Sequence, residues 1–432
     1  MTCNLHPASA SPDLVALWES VSANAHLLAA AEKCNPADVA KVAQLRKQGT
    51  APEIKLALDL VAARQKAMAK LPGLPASRLL ADPQAVEQAS SWDVAKWKAG
   101  RFAENDAAVF DLCCGAGFDT MALAHAGLRV EACDRDPVRA WMAQRNTAME
   151  GFLPVLPVIR CLDMAAYAGH PELGRMFVHL DPARRNESGR IFNLADYLPP
   201  PEVWAPLLRQ AAGGCVKLAP GVSHAELADF AKTLGVPWSA SFVSDDGKLV
   251  QALLWTGALA RKAPREAVLL ENGRIHTLAG APGAPLPIWG EPAFLLEPDD
   301  AIERAQLSAV LGKLHNLSEL HPGLGLLTAG TWGDASPPPV SPWFTSFTVL
   351  ESFSWDEKKA RVALKTHQAG LVEVKTRGRI CDPNALEKKL RGGGDQRLTL
   401  FVLRLGTRLR GLVTRREGRL QSAIEASSYL SI

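Results

Sequence analysis

The segment Asp111-Leu112-Cys113-Cys114-Gly115-Ala116-Gly117-Phe118-Asp119 constrains the fold more than any other. It follows a short β-rich run at 109–113 and opens a helical stretch, 120–125, which Gly127 ends. Two glycines so close together let the backbone turn sharply and let a ligand approach the main chain. The alternation continues, with β-rich runs at 130–134, 158–163, 176–181 and 215–219 and a helical stretch at 138–149. Regular strand–helix alternation predicts a parallel sheet with right-handed crossovers and helices on both faces. After a helix expected over 225–234, strands at 239–243 and 249–255 flank Asp245-Asp246-Gly247, a hairpin signal. The expected sheet therefore ends in an antiparallel pair.

The turn narrows the ligand. The third glycine of a dinucleotide fingerprint would fall at Thr120, so the pyrophosphate pattern is incomplete. Asp134 lies 19 residues after Gly115 at a strand end, where a carboxylate can accept both ribose hydroxyl hydrogens. Asp163 ends the third expected strand, near an adenine edge, and Asp181 ends the fourth. Such acids also serve as helix caps and turn formers. Taken together, Gly115, Gly117, Asp119 and Asp134 point to a nucleoside without an essential pyrophosphate, S-adenosylmethionine rather than NAD. Asp111 is placed to add negative potential for that cationic ligand. Cys113 and Cys114 sit inside the loop and read as small packed residues, not as thiolate nucleophiles.

These residues resemble the class I S-adenosylmethionine-dependent methyltransferases, specifically bacterial ones with a C-terminal THUMP-like domain. The similarity runs in order over roughly 80–425: Glu87-Gln88-Ala89-Ser90, Lys96-Trp97-Lys98-Ala99, the 111–119 loop, Cys133-Asp134-Arg135-Asp136-Pro137 with Asn146, Asp181-Pro182-Ala183-Arg184-Arg185, 216–221, Glu297-Pro298-Asp299, Lys375-Thr376-Arg377-Gly378 and Asp382-Pro383. It implies a Rossmann-like seven-stranded α/β sheet with an antiparallel last strand. It also implies cofactor contacts from Asp111, Cys113, Gly115, Gly117, Asp119, Asp134, Arg135 and Asp163.

Methyl transfer from a sulfonium needs an aligned acceptor and a route for any proton lost, but no metal. Many amino-group methyltransferases carry Asn/Asp-Pro-Pro-Tyr/Phe at the fourth strand end. Here Asp181-Pro182-Ala183-Arg184 keeps the acid and loses the aromatic, so stacking on a flipped base is not expected. Asp181 is expected to orient the acceptor. Arg184 and Arg185 either clamp a phosphate or carboxylate, or pair with Asp196 or Glu187 or stack on Tyr197. Lys217 is either a site residue or a snorkelling lysine.

Charge separates the two ends of the chain. Residues 351–432 hold 17 Lys+Arg against 9 Asp+Glu, a balance of +8, so the net charge of +3 leaves −5 for the first 350. A basic end suits RNA through phosphate contacts, and Lys375, Arg377 and Arg379 are its expected anchors; the alternative is a solvated basic face. No RNP-type aromatic stripe is present. The 432 residues suggest a helical region over 1–78, a methyltransferase domain over 79–260, a hairpin and linker over 261–290, and a THUMP-like α+β domain over 291–425, in which 299–314 is expected as a helix and 361–365 as a strand.

The compartment follows from what is missing. Eight cysteines without a Cys-x-x-Cys pair indicate neither a zinc site nor a disulfide framework. With no apolar run long enough to span a bilayer and no export pattern in Met1–His6, a cytoplasmic protein is expected. The leading expectation is a methyltransferase for structured RNA. The competing ones are a non-catalytic RNA-binding protein with a methyltransferase-like core, and an enzyme for a small molecule or protein.

Overall fold

Side-chain caps start the N-terminal helices. The computed structural model, which describes residues 12–35, 38–105, 107–183, 185–186, 189–190, 193–290, 292–331, 339–378 and 380–418, begins with α1 (Pro12–Ala23), α2 (Ala25–Glu32), α3 (Val39–Leu45) and α4 (Ala51–Lys70). Asn24 accepts from Leu27 N ahead of α2, and Thr50 with Glu53 forms a capping box ahead of α4. Asp38 accepts from Ala40 N and Lys41 N and caps α3 at Val39. α4 buries Ile54, Ala57, Leu60, Val61 and Ala67 on one stripe.

No single helix among the described residues is long and apolar enough to cross a membrane; one bent pair, Asp13–Ala23 with Ala25–Glu32, meets that test by length and composition. Trp18, Val21, Leu27, Leu28 and Ala31 of that pair are buried.

The chain forms two compact units, 1–240 with 250–262, and 241–249 with 263–432. In the first, α5 (Pro83–Gln88) and α6 (Trp92–Ala103) precede β1 (Val109–Leu112), α7 (Phe118–His125), β2 (Val130–Asp134), α8 (Pro137–Thr147), β3 (Val158–Cys161) and β4 (Phe177–Leu180). Then come α9 (Pro201–Gln210), β5 (Gly213–Leu218), α10 (His224–Leu234) and the hairpin β6 (Trp238–Asp245) and β7 (Lys248–Gly257), of which 241–249 belong to the second unit. Seven of the nine strands of this sheet run β3-β2-β1-β4-β5-β7-β6. β1 through β5 pair in parallel, and β7 pairs antiparallel to β5. This is the Rossmann-like order with an antiparallel seventh strand that the resemblance implied.

Every residue of β1 and β4 is buried, as parallel strands covered on both faces require. Strand order reverses between β1 and β4, and ligands of open α/β sheets sit beyond the carboxyl ends of strands at such a point. Asp163 lies just beyond β3, where it accepts from Ala165 N and caps a short 3₁₀ turn.

The second unit holds a hairpin, β8 (Arg265–Glu271) and β9 (Arg274–Gly280), turned by Asn272 and Gly273 at positive φ. β10 (Pro292–Pro298), α11 (Asp300–Ala305), α12 (Ser308–His315), β11 (Leu327–Thr331), β12 (Phe344–Ser354), α13 (Glu357–Thr366), β13 (Ala369–Thr376), α14 (Pro383–Leu390), β14 (Gln396–Leu405) and β15 (Arg408–Gly418) follow. Its main sheet runs β11-β10-β12-β15-β14-β13, with β13 and β14 parallel. Ala360, Ala363, Leu364, Leu386 and Leu390 pack on Val372, Val374, Leu398, Leu400, Val402 and Val413, so α13 and α14 cover one sheet face.

Two expectations are corrected here. Residues 361–365, read as a strand, belong to α13: Asp356 accepts from Lys358 N and Lys359 N, and Ala360, Ala363 and Leu364 bury at helical spacing. The single helix expected over 299–314 is two, because Gln306 adopts a left-handed conformation between α11 and α12.

Candidate functional site

The loop after β1 turns through three left-handed residues, Cys113 (φ 63°), Gly115 (φ 57°) and Gly117 (φ 84°). The two glycines serve different purposes. A Cβ on Gly115 would meet nothing within 4 Å, whereas one on Gly117 would lie 3.0 Å from the Ala143 Cβ on α8. Gly115 thus borders open space, and Gly117 lets the loop pack on a helix. Buried Asn146, also on α8, donates to Leu80 O and Ala116 O and accepts from Leu80 N, fixing the loop from below.

Asp134 faces this loop. Its Oδ2 accepts the Gly115 amide hydrogen at 2.9 Å and its Oδ1 that of Asp136 at 2.9 Å. Burial raises its carboxyl from the ordinary range, against the two backbone hydrogen bonds. Beside it, Arg135 and Asp163 are exposed, and the Cys113 Sγ lies 3.6 Å from Met164 Sδ. Burial pushes the Cys113 and Cys114 thiols well above their usual range, which makes them poor nucleophiles.

Beneath the loop lies a buried polar cluster. Asp111 is 0% exposed: Oδ1 is 2.7 Å from His179 Nδ1, and Oδ2 accepts from Thr120 Oγ1. Its charge therefore reaches any ligand through the protein. His179 Nε2 is 3.4 Å from Lys98 Nζ, which can only donate, so the hydrogen-bond pattern assigns the ring hydrogen to Nδ1, facing Asp111. Lys98 Nζ also lies 2.7 Å from Asp119 Oδ1 and 3.1 Å from Ser90 Oγ.

Lys217 Nζ is 2.7 Å from Asp181 Oδ2, 3.1 Å from Gln88 O and 3.9 Å from Asp119 Oδ2. Both lysine side chains are 2% exposed, Asp119 12% and Asp181 27%, so the series opens to solvent at Asp181. Burial alone would raise the Asp119 carboxyl, but Lys98, then Lys217, hold it well below the usual range. Burial would lower the Lys98 ammonium, yet the charge of Asp119 leaves it raised. The Gln251 side chain closes the cluster, its Oε1 3.4 Å from Ser90 Oγ and its buried Nε2 without a hydrogen-bond partner.

The expected residues thus fall into three groups. Cys113, Gly115, Gly117, Asp134, Arg135 and Asp163 frame the loop, while Asp111, Asp119, Asp181 and Lys217 join the cluster beneath and beside it. Arg184, the Arg185 side chain and Arg379 lie outside the described residues. Sequence reasoning missed Ser90, Lys98, Thr120, His179 and Gln251 as site residues. A signal existed for two of them. Lys98 stands four residues from both Val94 and Phe102 on the buried stripe of α6, and His179 interrupts a fully buried strand.

In the second unit, Glu297 binds two of the three expected RNA anchors. It pairs with Lys375 and lies 2.9 Å from the Arg377 guanidinium, which also donates to Leu324 O. Burial would raise the Glu297 carboxyl, but these two cations hold it below the usual range. By contrast Lys388, Arg391 and Arg397, at and after the end of α14, are exposed and form no ion pair with any described residue. Among the described residues no group of three or more His, Cys, Asp and Glu could hold a metal ion.

A family profile described as THUMP domain-like matches residues 344–416. Two proteins from Mycobacterium tuberculosis, strains CDC 1551 / Oshkosh and ATCC 25618 / H37Rv, are 32% identical over 352 residues, covering 79% of this chain and 90% of each relative. Both are described as uncharacterized S-adenosylmethionine-dependent methyltransferases. A crystal structure assigned to a methyltransferase from Porphyromonas gingivalis W83 shares the fold, with a TM-score of 0.68 at 18% identity over 94% of this chain and 98% of that one.

Proposed function

The chain belongs to the S-adenosylmethionine-dependent methyltransferases, and from that premise we propose that it methylates structured RNA. When bound, S-adenosylmethionine supplies a methyl group on a positively charged sulfur. Two observations support a fit at the β1 loop. Open space borders Gly115, and the Asp134 carboxylate beside it is held by two backbone amides with lone pairs left for ribose hydroxyls. The cluster below holds Asp111, Asp119 and Asp181 against Lys98 and Lys217, one negative charge in excess, which favours a cationic ligand.

In this reading Asp134 takes the ribose, while Asp163 and Arg135 flank the adenine side. Cys113, Gly115 and Gly117 shape the loop, and Asp111 and Asp119 supply negative potential from beneath. Asp181 orients the acceptor group and receives or relays its proton, with Lys217 holding it. Arg184 and Arg185, next in the chain, would steady a substrate phosphate.

The observation that carries the RNA half is the THUMP domain-like match over 344–416, together with exposed Lys388, Arg391 and Arg397 inside it, which form no ion pair among the described residues. The pairing of Lys375 and Arg377 with Glu297 favours a second reading, in which the basic module is structural and the substrate is a small molecule or protein. Mass spectrometry of total RNA nucleosides from a deletion strain separates the two. The RNA reading expects one methylated nucleoside to disappear and to return on complementation; an unchanged profile contradicts it.

A further inference from the structure

Within the buried cluster two lysines alternate with two of its three carboxylates, Asp119 and Asp181, and their distances are unequal. Lys98 has one close carboxylate, Asp119 at 2.7 Å. Lys217 has Asp181 at 2.7 Å and Asp119 only at 3.9 Å. The four charges balance as pairs only while both lysines are present. Without Lys98, one ammonium would have to serve two carboxylates. Asp119 is the drier of the two, at 12% side-chain exposure against 27%, so it loses more by standing unpaired. Lys217 already lies near it and would move towards it, releasing Asp181.

We infer that Lys98 is a positioning residue for methyl transfer: by neutralising Asp119 it leaves Lys217 to hold Asp181 at the mouth of the site. Lys98 itself does not touch Asp181. Its reach is set by the order Lys98, Asp119, Lys217, Asp181, which joins α6 and the cofactor loop to the ends of β5 and β4. Ser90 Oγ at 3.1 Å and His179 Nε2 at 3.4 Å fix the ammonium in place. The inference rests on the reading of Asp181 as the acid that meets the methyl acceptor.

The test is a double-mutant cycle in the full chain, read by thermal unfolding, on wild type, Lys98→Met, Asp181→Asn and the pair. Lys98→Met strands one carboxylate and lowers the unfolding midpoint by roughly 5 °C or more. Adding Asp181→Asn restores one lysine to one carboxylate and recovers more than about half of that loss. If Lys98→Met alone does not fold, a folded double variant is the same rescue. Additive losses, or a double variant that also fails to fold, overturn the inference.

A second readout separates positioning from structure. With tritiated S-adenosylmethionine and total RNA from a deletion strain, Lys98→Met lowers kcat at least about tenfold while the KM for the cofactor stays within about twofold. Lys98→Arg, which keeps the charge, restores most of the rate. A KM rise with kcat unchanged counts against the inference. Wild-type protein that labels no RNA overturns the substrate reading, while the unfolding cycle still decides the role of Lys98.

Discussion

Asp134 Oδ2 accepts the Gly115 amide hydrogen at 2.9 Å, so the acid at the end of β2 and the first glycine of the loop act as one unit. On the proposed reading, two ribose hydroxyls donating to that carboxylate would be worth about 1.5 kcal/mol each. Asp134→Ala should therefore weaken S-adenosylmethionine binding roughly 100-fold by calorimetry, with Asp134→Asn between it and wild type. An affinity equal to wild type would remove Asp134 from the site.

The two glycines of the loop should separate binding from stability. Both have positive φ, so alanine strains each by about 1–2 kcal/mol. At Gly117 the new methyl also presses on Ala143, and unfolding should show the larger loss there. At Gly115 it enters open space, so Gly115→Ala should stay folded and lose cofactor affinity by about tenfold or more. Equal effects of the two variants on binding would contradict this division.

The Glu297 cluster predicts a pH dependence with a definite sign. Its folded carboxyl is held below the ordinary value of 4.5 by Lys375 and Arg377, against burial. A depressed carboxyl stabilises the fold above the unfolded value and loses that contribution as pH falls through the folded one. Glu297→Gln should thus cost stability at pH 7, and the gap to wild type should narrow below about pH 4.5, measured by urea unfolding across the acid range. A gap independent of pH would show that the pairing contributes nothing.

RNA affinity should depend on the unpaired cations. Neutralising Lys388, Arg391 and Arg397 together should flatten the slope of log affinity against log salt by about 2–3 for a duplex-rich RNA. Glutamine at Lys375 and Arg377 should change it less, because Glu297 already holds those charges. The reverse ranking, measured by fluorescence anisotropy, would move the RNA surface to the Glu297 face.

How much of this could be read from the chain depended on range. Local chemistry was legible: the loop glycines, Asp134 nineteen residues on, and the Asp245-Asp246-Gly247 turn that makes β7 antiparallel. Pairing between distant residues was not. Lys375 and Arg377 read as free cations because their partner lies 78 and 80 residues away. The motif around Lys98 assigns that lysine no role, since Asp119 and His179 meet it only when α6 packs under the loop. Residues 361–365 misled for another reason: Val362-Ala363-Leu364 is too short an apolar run to reveal its period, and the cap at Asp356 decides it.

The most direct measurement of the central claim is the transfer of tritium from labelled S-adenosylmethionine to purified RNA by the full chain. Total RNA from a deletion strain should be labelled, RNA from the wild-type strain, already modified, should not, and Asp134→Ala and Asp181→Asn should each lower the rate at least about tenfold. Cofactor binding with no label in RNA from the deletion strain would contradict it.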